Sequence, residues 1–321
     1  MTWVSAAVFS ALAACSGRSS VPAGSCIGPA FGAALVAADQ SREPWRCAAP
    51  DGPGAAEETL ASGAHRWQLG DHVMKLDDAG DLAIGVIADA AGSAPATLAA
   101  LGRLRGKLER VYLVIALGGM GATRAELEAA FAALTDRAPW PLVALPGDLE
   151  PVSAHTEAIA AARQRGAAVV DGRLVQRIEL PAATIALVAG AGSASRLVAG
   201  AEGCRYRAVD VAAAFAALTP RDGLRILASA EPPRSEPGGD PTGELALTVG
   251  AGQQIDIALH APTAGTATAA CSGNRDGSAV PLTPGSSDAT PRLPGPRHAS
   301  TAGLLTLHGT AWAWKPIEDV K

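Results

Sequence analysis

Aromatic residues make up only 4% of this 321-residue chain, and charged residues only 18%. Basic side chains are outnumbered by acidic ones, 26 against 31, for a formal net charge of −5. A nucleic-acid surface needs a concentrated basic patch, so this balance argues against a nucleic-acid partner. No two cysteines have the Cys-x-x-Cys spacing of a zinc site or a redox motif. The first apolar run, residues 2–14, is too short to span a bilayer as a stable helix. No internal repeat is visible. What is present is 48% hydrophobic, with 36 Gly and 23 Pro. That is enough to bury a full core, with long turns between its elements.

The opening run TWVSAAVFSALAA ends in small residues ahead of a cysteine. Leu12-Ala13-Ala14-Cys15 resembles the bacterial lipoprotein signal, in which a small-residue cleavage site precedes a cysteine that takes the lipid. The resemblance implies a signal peptide at 1–14, lipid attachment at Cys15 and a tether at 15–25. It makes the membrane a partner through that lipid, each buried CH₂ contributing roughly 0.8 kcal/mol. Ser16 stands where an inner-membrane retention Asp would be. The implied location is the cell envelope, at the outer membrane, facing the periplasm or the cell surface. Cys26, Cys47, Cys204 and Cys271 remain, an even count that favours disulfides in an exported chain. Four cysteines allow three pairings; Cys26–Cys47 with Cys204–Cys271 is the favoured one.

Residues 26–68 form a Cys-containing N-terminal segment, and 69–321 a single α/β domain. His72–Leu76, a turn at Asp77–Asp81 and the apolar run Leu82–Ala88 predict a hairpin. A helix over Ala94–Arg110 places Leu98, Leu101 and Leu104 on one face, and the strand Val111–Leu117 follows. The next helix, Arg124–Arg137, opens on a capping box formed by Thr123 and Glu126. The strand Leu142–Leu145 leads to a third helix near Ser153–Arg165. Continuous apolar strands in this alternation mark a parallel sheet covered on both faces. The second half is richer in strands: Ala168–Val170, Leu174–Leu180, Ile185–Ala189, Ile226–Ala228, Ile255–Leu259, Leu304–Leu307 and Ala311–Lys315. One helix fits Asp210–Leu218, and Leu245–Val249 fits either state. Glu231–Gly243 and Ser272–Arg297 read as long loops. Trp312 and Trp314 alternate along the last strand and so face one core.

Ligands of open α/β sheets bind outside the carboxyl ends of the strands. Those ends read, in order, Asp89-Ala-Ala91-Gly92, Gly118-Gly119-Met-Gly121, Pro146-Gly147-Asp148-Leu149-Glu150, Ala230-Glu-Pro-Pro233 and His260-Ala261-Pro262-Thr-Ala264-Gly265. The series resembles the calcineurin-like metallophosphoesterases. That family carries Asp-x-His-Gly, Gly-Asp and Gly-Asn-His after its first three core strands, a later His-x-x-Pro, and a final Gly-His-x-His. Here the first three segments also lie about thirty residues apart. A Pro284-Gly-Ser286 turn and Pro291-Arg292 are similar to the family's C-terminal end. The resemblance covers roughly Leu69–Ile317. It implies two mixed β-sheets packed face to face with flanking helices, a four-layer αββα sandwich.

Position by position, the ligands fail to match. Asp89 stands at the first metal-binding Asp, but Ala91 replaces the His of that motif and Gly119 the Asp that bridges both metals. Asp148 replaces the metal-binding Asn, Leu149 the His that assists the leaving group, and Ala230 the next ligand. Ala261, Pro262 and Ala264 occupy the final motif; His260 precedes it and is no family ligand. A two-metal site needs an anionic bridge and several further ligands. No cofactor is therefore expected, the one exception being a single hard cation such as Mg²⁺ on Asp89 and Asp148 with water completing its shell. Asp89, Gly119, Asp148, Ala230 and His260 outline a vestigial pocket without catalytic residues. The implied function is a lipid-anchored pseudoenzyme that binds or scaffolds in the cell envelope, its protein or small-molecule partner unnamed by the sequence. The alternative is a metal-dependent phosphoesterase or other hydrolase with an unconventional centre at Asp89 and Asp148. Gly118–Gly121 lacks the Lys and Ser/Thr of a P-loop and reads as a plain turn. His65, His72, His155, His298 and His308 have no ligand spacing and read as surface or loop histidines.

Overall fold

A computed structural model of the chain describes residues 52, 54–63, 65–76, 80–90, 92–192, 197–218, 223–231, 255–262, 267–275, 279–288 and 300–319. Residues 1–51, on which the expected signal peptide and tether fall, lie outside the described residues, as does Leu245–Val249. No helix among the described residues is long and apolar enough to cross a membrane.

The apolar strands β4 (Leu82–Ile87), β5 (Leu113–Ala116), β6 (Leu142–Ala144) and β7 (Val169–Asp171) run parallel, side by side. They alternate with helices α1 (Pro95–Lys107), α2 (Arg124–Thr135) and α3 (Val152–Gln164). The α2 N-terminus carries the expected capping box: Thr123 Oγ1 accepts from Glu126 N at 3.3 Å, and Glu126 Oε2 accepts from Thr123 N at 3.0 Å. Two C-terminal strands, β14 (Thr301–His308) and β15 (Ala311–Glu318), pair antiparallel and add to β4. With β12 (Cys271–Asn274) on β15, this completes a sheet ordered β12-β15-β14-β4-β5-β6-β7.

The second sheet is built from β1 (Ala55–Ser62), β2 (His65–Asp71), β3 (Val73–Leu76), β8 (Arg177–Leu180), β9 (Ala183–Val188), β10 (Leu224–Ser229), β11 (Ile257–His260) and β13 (Val280–Leu282), in that order. Helix α4 (Ala208–Ala216) packs on its outer face through Val211, against Ala186, Val188 and Leu227. Between the sheets lies the main core, with Ile84, Val86, Ile115, Ile185, Ile226 and Leu259 fully buried. Leu101, Leu127, Phe131 and Ile159 cover the other face of the seven-stranded sheet. The expected four-layer sandwich, two mixed sheets face to face with helices outside, is the fold.

Trp312 and Trp314 point into the main core, as their alternation requires. Glycines make room for both: a first side-chain carbon on Gly303 would enter the ring of Trp314, and one on Gly273 would lie 2.7 Å from Trp312.

Four expectations are corrected. Strands β3 and β4 do not form a hairpin; residues between them carry the chain from one sheet to the other, so both bury side chains in the same core from opposite sides. The sandwich begins upstream of Leu69, because β1 and β2 pair antiparallel at the edge of the eight-stranded sheet. The segment Ser272–Arg297 is no uninterrupted loop, since β12 and β13 add one edge strand to each sheet. Finally, His155 is no surface histidine: it shares the buried stripe of α3 with Ala158, Ile159 and Ala162 and stands edge-on to Phe131 at 6.1 Å.

Candidate functional site

The carboxyl ends of β4, β5 and β6 form one row. At its start Asp89 turns through a left-handed backbone, φ +50°, a conformation Asp tolerates better than most residues. Its N–H donates to Gly118 O at 2.9 Å, and its carbonyl accepts from Ser286 Oγ at 2.9 Å and Asp288 N at 3.1 Å. Gly118 and Gly119 follow with φ +89° and +70°. A first side-chain carbon on Gly119 would lie 2.8 Å from Asp89 Cα, and one on Gly118 would lie 2.6 Å from Gly147 Cα. The turns carrying Asp89, Gly119 and Asp148 thus touch through their backbones. Asp89 is half-buried, and Asp148 is exposed.

The ends of β9, β10 and β11 form the facing row, with Val188, Ser229 and His260 in register. Ala230 N donates to Val188 O and Ala261 N to Ser229 O, each at 3.3 Å; His260 Nδ1 lies 2.9 Å from Ala261 O. Gly190 N donates to Pro146 O at 2.8 Å and Ala199 N to Asp148 O at 3.0 Å, which joins the two rows. Asp89, Gly119, Asp148, Ala230 and His260 therefore lie at the strand ends of these two joined rows (the rim), with the Gly118–Gly119 turn between those of Asp89 and Asp148. Ala91 and Ala264 lie outside the described residues.

Three acidic groups near this rim were not singled out from the sequence. Glu150 is completely buried; its carboxylate accepts from Met120 N at 2.6 Å and Gly147 N at 2.8 Å, and from Gly119 N. Burial pushes its pKa up to about 7, against the opposing pull of those amides and with a small push from Asp148. Glu231, directly after Ala230, accepts from Tyr206 Oη at 2.7 Å and Gly192 N at 3.0 Å. At the end of β7, Asp171 holds Arg173 in a buried ion pair, and Arg173 Nη2 donates to Thr156 Oγ1 at 2.6 Å. Burial works against the Asp171 charge, but His155, Arg173 and the Arg173 hydrogen bonds hold its pKa below the ordinary value. Burial drives the neighbouring His155 down to about 4. For Glu150 a signal was present: an acidic residue behind a glycine turn, just before a helix, faces free amides.

The cysteines need one correction. Cys204 is disulfide-bonded, whereas Cys271 is a free thiol, so these two are not paired. Strand pairing separates them: Cys271 lies opposite Trp314 on the edge strand β12, while Cys204 backs onto Gly190 past the end of β9 in the other sheet. Cys15, Cys26 and Cys47 lie outside the described residues.

A pair of catalytic metals needs a bridging anion, and the bridging position is Gly119. An added side chain there meets backbone atoms of Asp89, so a carboxylate does not fit without moving the turn. Ala230 and Pro262 offer no lone pairs from their side chains. Among the described residues no three His, Cys, Asp or Glu are grouped to hold a metal. The rim does not fit the two-metal group that the sequence resemblance implies.

No protein-family model matches the chain, and no curated protein matches it in sequence. Solved structures do. A purple acid phosphatase from yellow lupin (Lupinus luteus) seeds aligns with a TM-score of 0.51 at 11% identity, over 76% of this chain and 53% of the lupin one. A second solved chain is matched over its whole length, with 75% of this chain, a TM-score of 0.50 and 10% identity. A Thermus thermophilus protein is a weaker likeness, with a TM-score of 0.45, 15% identity, and 64% of this chain against 90% of its own. The chain thus spans about half the length of the lupin phosphatase, and what the two share is the fold.

Proposed function

We propose that this chain is a lipid-anchored, non-catalytic domain of the metallophosphoesterase fold, acting as a binding or scaffold module in the cell envelope. The observation that carries the reading is Gly119. At the place of the metal-bridging carboxylate stands a left-handed glycine, pressed against the backbone of Asp89. The imidazole positions Leu149, Ala230, Pro262 and Ala264 are apolar, so neither a metal nor a leaving group finds a side-chain proton donor or lone pair there. Water attacking a phosphoester without a metal keeps a pKa near 15.7 instead of about 7, leaving no hydroxide at neutral pH. The anchoring half rests on Leu12–Cys15.

Two measurements test the two halves. Mn²⁺, Fe²⁺ and Zn²⁺ are titrated into the mature protein with a generic phosphodiester, beside Asp89→Ala. No metal-dependent turnover is expected; turnover in the parent that disappears in the variant installs the hydrolase alternative at Asp89 and Asp148. For the anchor, the parent should sediment with membranes and Cys15→Ser should not. Identical fractionation of the two defeats lipidation at Cys15.

A further inference from the structure

We infer that the groove between edge strand β1 and helix α3 is a peptide-binding site, in which an extended segment of another protein lies against β1 as an added strand. β1 ends the eight-stranded sheet, with β2 on one side and, among the described residues, no strand on the other. An edge strand turns unpaired N–H and C=O groups outward, and these are a template for a further strand. Among the described residues, the main chain of β1 hydrogen-bonds to β2 alone. Length singles out this edge from the others. β7 and β13 have three residues each and β12 four, and Pro281 removes a donor from β13. β1 has eight, about 26 Å at about 3.3 Å per residue.

Two cavities lie end to end along that edge. The first, of about 320 Å³, opens between Ala55 and Ala56 on β1 and Thr156 and Ala160 on α3, above Leu69 and Val170 of the main core. The second, of about 590 Å³, lies between Ala61 and Ser62 on β1 and the C-terminal ends of α2 and α3, with Arg137 and Arg165 in its wall. Residue numbers rise together along both walls, so the two cavities follow one strand in one direction. Between them Arg163 Nη2 donates to Glu58 Oε1 at 2.6 Å and bridges the groove. Both side chains are partly exposed, and such a pair adds little to stability, so an entering strand displaces it.

The charges of the lining select the occupant. In the first cavity Glu58 is matched by Arg163 and Asp171 by Arg173, and the rest of the lining is mainly apolar. An uncharged, branched apolar side chain fits there. The second cavity sets Arg137 and Arg165 against Asp136, one positive charge in excess. Arg137 keeps 92% of its side chain exposed, open to a carboxylate. The occupant is therefore an extended peptide with an apolar residue near one end and an acidic side chain or C-terminal carboxylate about five residues away. A second copy of β1 is a poor match, because antiparallel pairing of two such strands crowds their Glu57–Glu58 pairs together. The five rim residues take no part, so the inference holds whether or not the rim is catalytic.

The test is fluorescence anisotropy with the mature protein and labelled, blocked octapeptides that alternate valine with threonine. One ends in two glutamates and one in two lysines; two more are the glutamate peptide N-methylated at alternate amides, in opposite phase. Saturable one-to-one binding of the glutamate peptide is expected. The lysine peptide and one of the two methylated phases should bind at least about tenfold more weakly, because only alternate amides of an added strand face β1. Ala160→Phe, at an exposed position of α3, fills the first cavity and should weaken binding by a similar factor, and Arg137→Glu should turn the preference towards lysine. If Ala160→Phe does not fold, the methylated pair still reads whether the peptide main chain is held. No saturable binding, or equal binding of both methylated phases and their parent, overturns the inference. So does concentration-dependent dimerisation that Ala160→Phe abolishes, which gives the groove to a second copy.

Discussion

Two fully buried titratable side chains lie within one turn of the rim, and their proton linkages oppose each other. His155 has its pKa lowered to about 4 by burial, from an ordinary 6.5. A lowered histidine contributes stability that is full above the unfolded pKa and is lost as pH falls from 6.5 towards 4, because only the unfolded chain takes up the proton. Glu150 is raised from 4.5 to about 7. Its folded form holds a proton that the unfolded form has released, so stability falls as pH rises from 4.5 to 7. At about 1.4 kcal/mol per unit, each slope amounts to about 3 kcal/mol across its window. Between pH 4.5 and 6.5 the two should nearly cancel and leave the parent's stability flat. His155→Leu removes one of them. Urea unfolding of this variant should then show stability dropping by about 2–3 kcal/mol from pH 4.5 to 7. A flat profile in the variant, like that of the parent, would discard this account of Glu150.

At the scale of elements, how much could be read depended on where each segment's apolar side chains fall. Strands β4, β5 and β6 are apolar throughout because both of their faces are covered, and α2 announces its start with Thr123 and Glu126. At the sheet edge, β1 buries only Ser62 and β2 only Trp67 and Leu69. Their sequences AAEETLAS and HRWQLGD carry too few apolar residues to stand out, with Trp67 and Leu69 the main inward ones. Strand β12, reading CSGN, owes its place to Gly273, which lies flat on Trp312; no local propensity predicts that. The β3–β4 error has a similar source. Alternation says which side chains are buried, but two strands in one sheet and two strands facing across a core bury them alike. The rim itself was legible in part, because its turns follow strand ends that could be counted. Glu150 left a signal in its place behind a glycine turn, whereas Glu231 with Tyr206 was hidden because its role depends on which amide and hydroxyl the fold brings to it.

As a whole molecule, the sandwich rests on three apolar clusters and not on its rim. The largest joins the two sheets, and the other two fasten helices to the outer faces. The turn at Asp89 is secured by hydrogen bonds of its main chain to Gly118 O, Ser286 Oγ and Asp288 N. Where a native state binds a metal tightly, the ion adds RT ln(1 + [L]/Kd) to stability, about 2.7 kcal/mol at one hundred times Kd. For a domain of this size that moves Tm by roughly 5–10 °C, at about 2–4 °C per kcal/mol. In this protein the thermal midpoint should stay within about 1 °C of its starting value on exhaustive chelation and on addition of millimolar Mn²⁺ or Mg²⁺. The same flat response to chelation and to added ion is expected of Asp89→Ala, which keeps the main-chain bonds to Gly118, Ser286 and Asp288. A rise of several degrees with either ion, lost in Asp89→Ala or Asp148→Ala, would place a working cation site on the rim, and the rim would then have to be read as a metal centre after all.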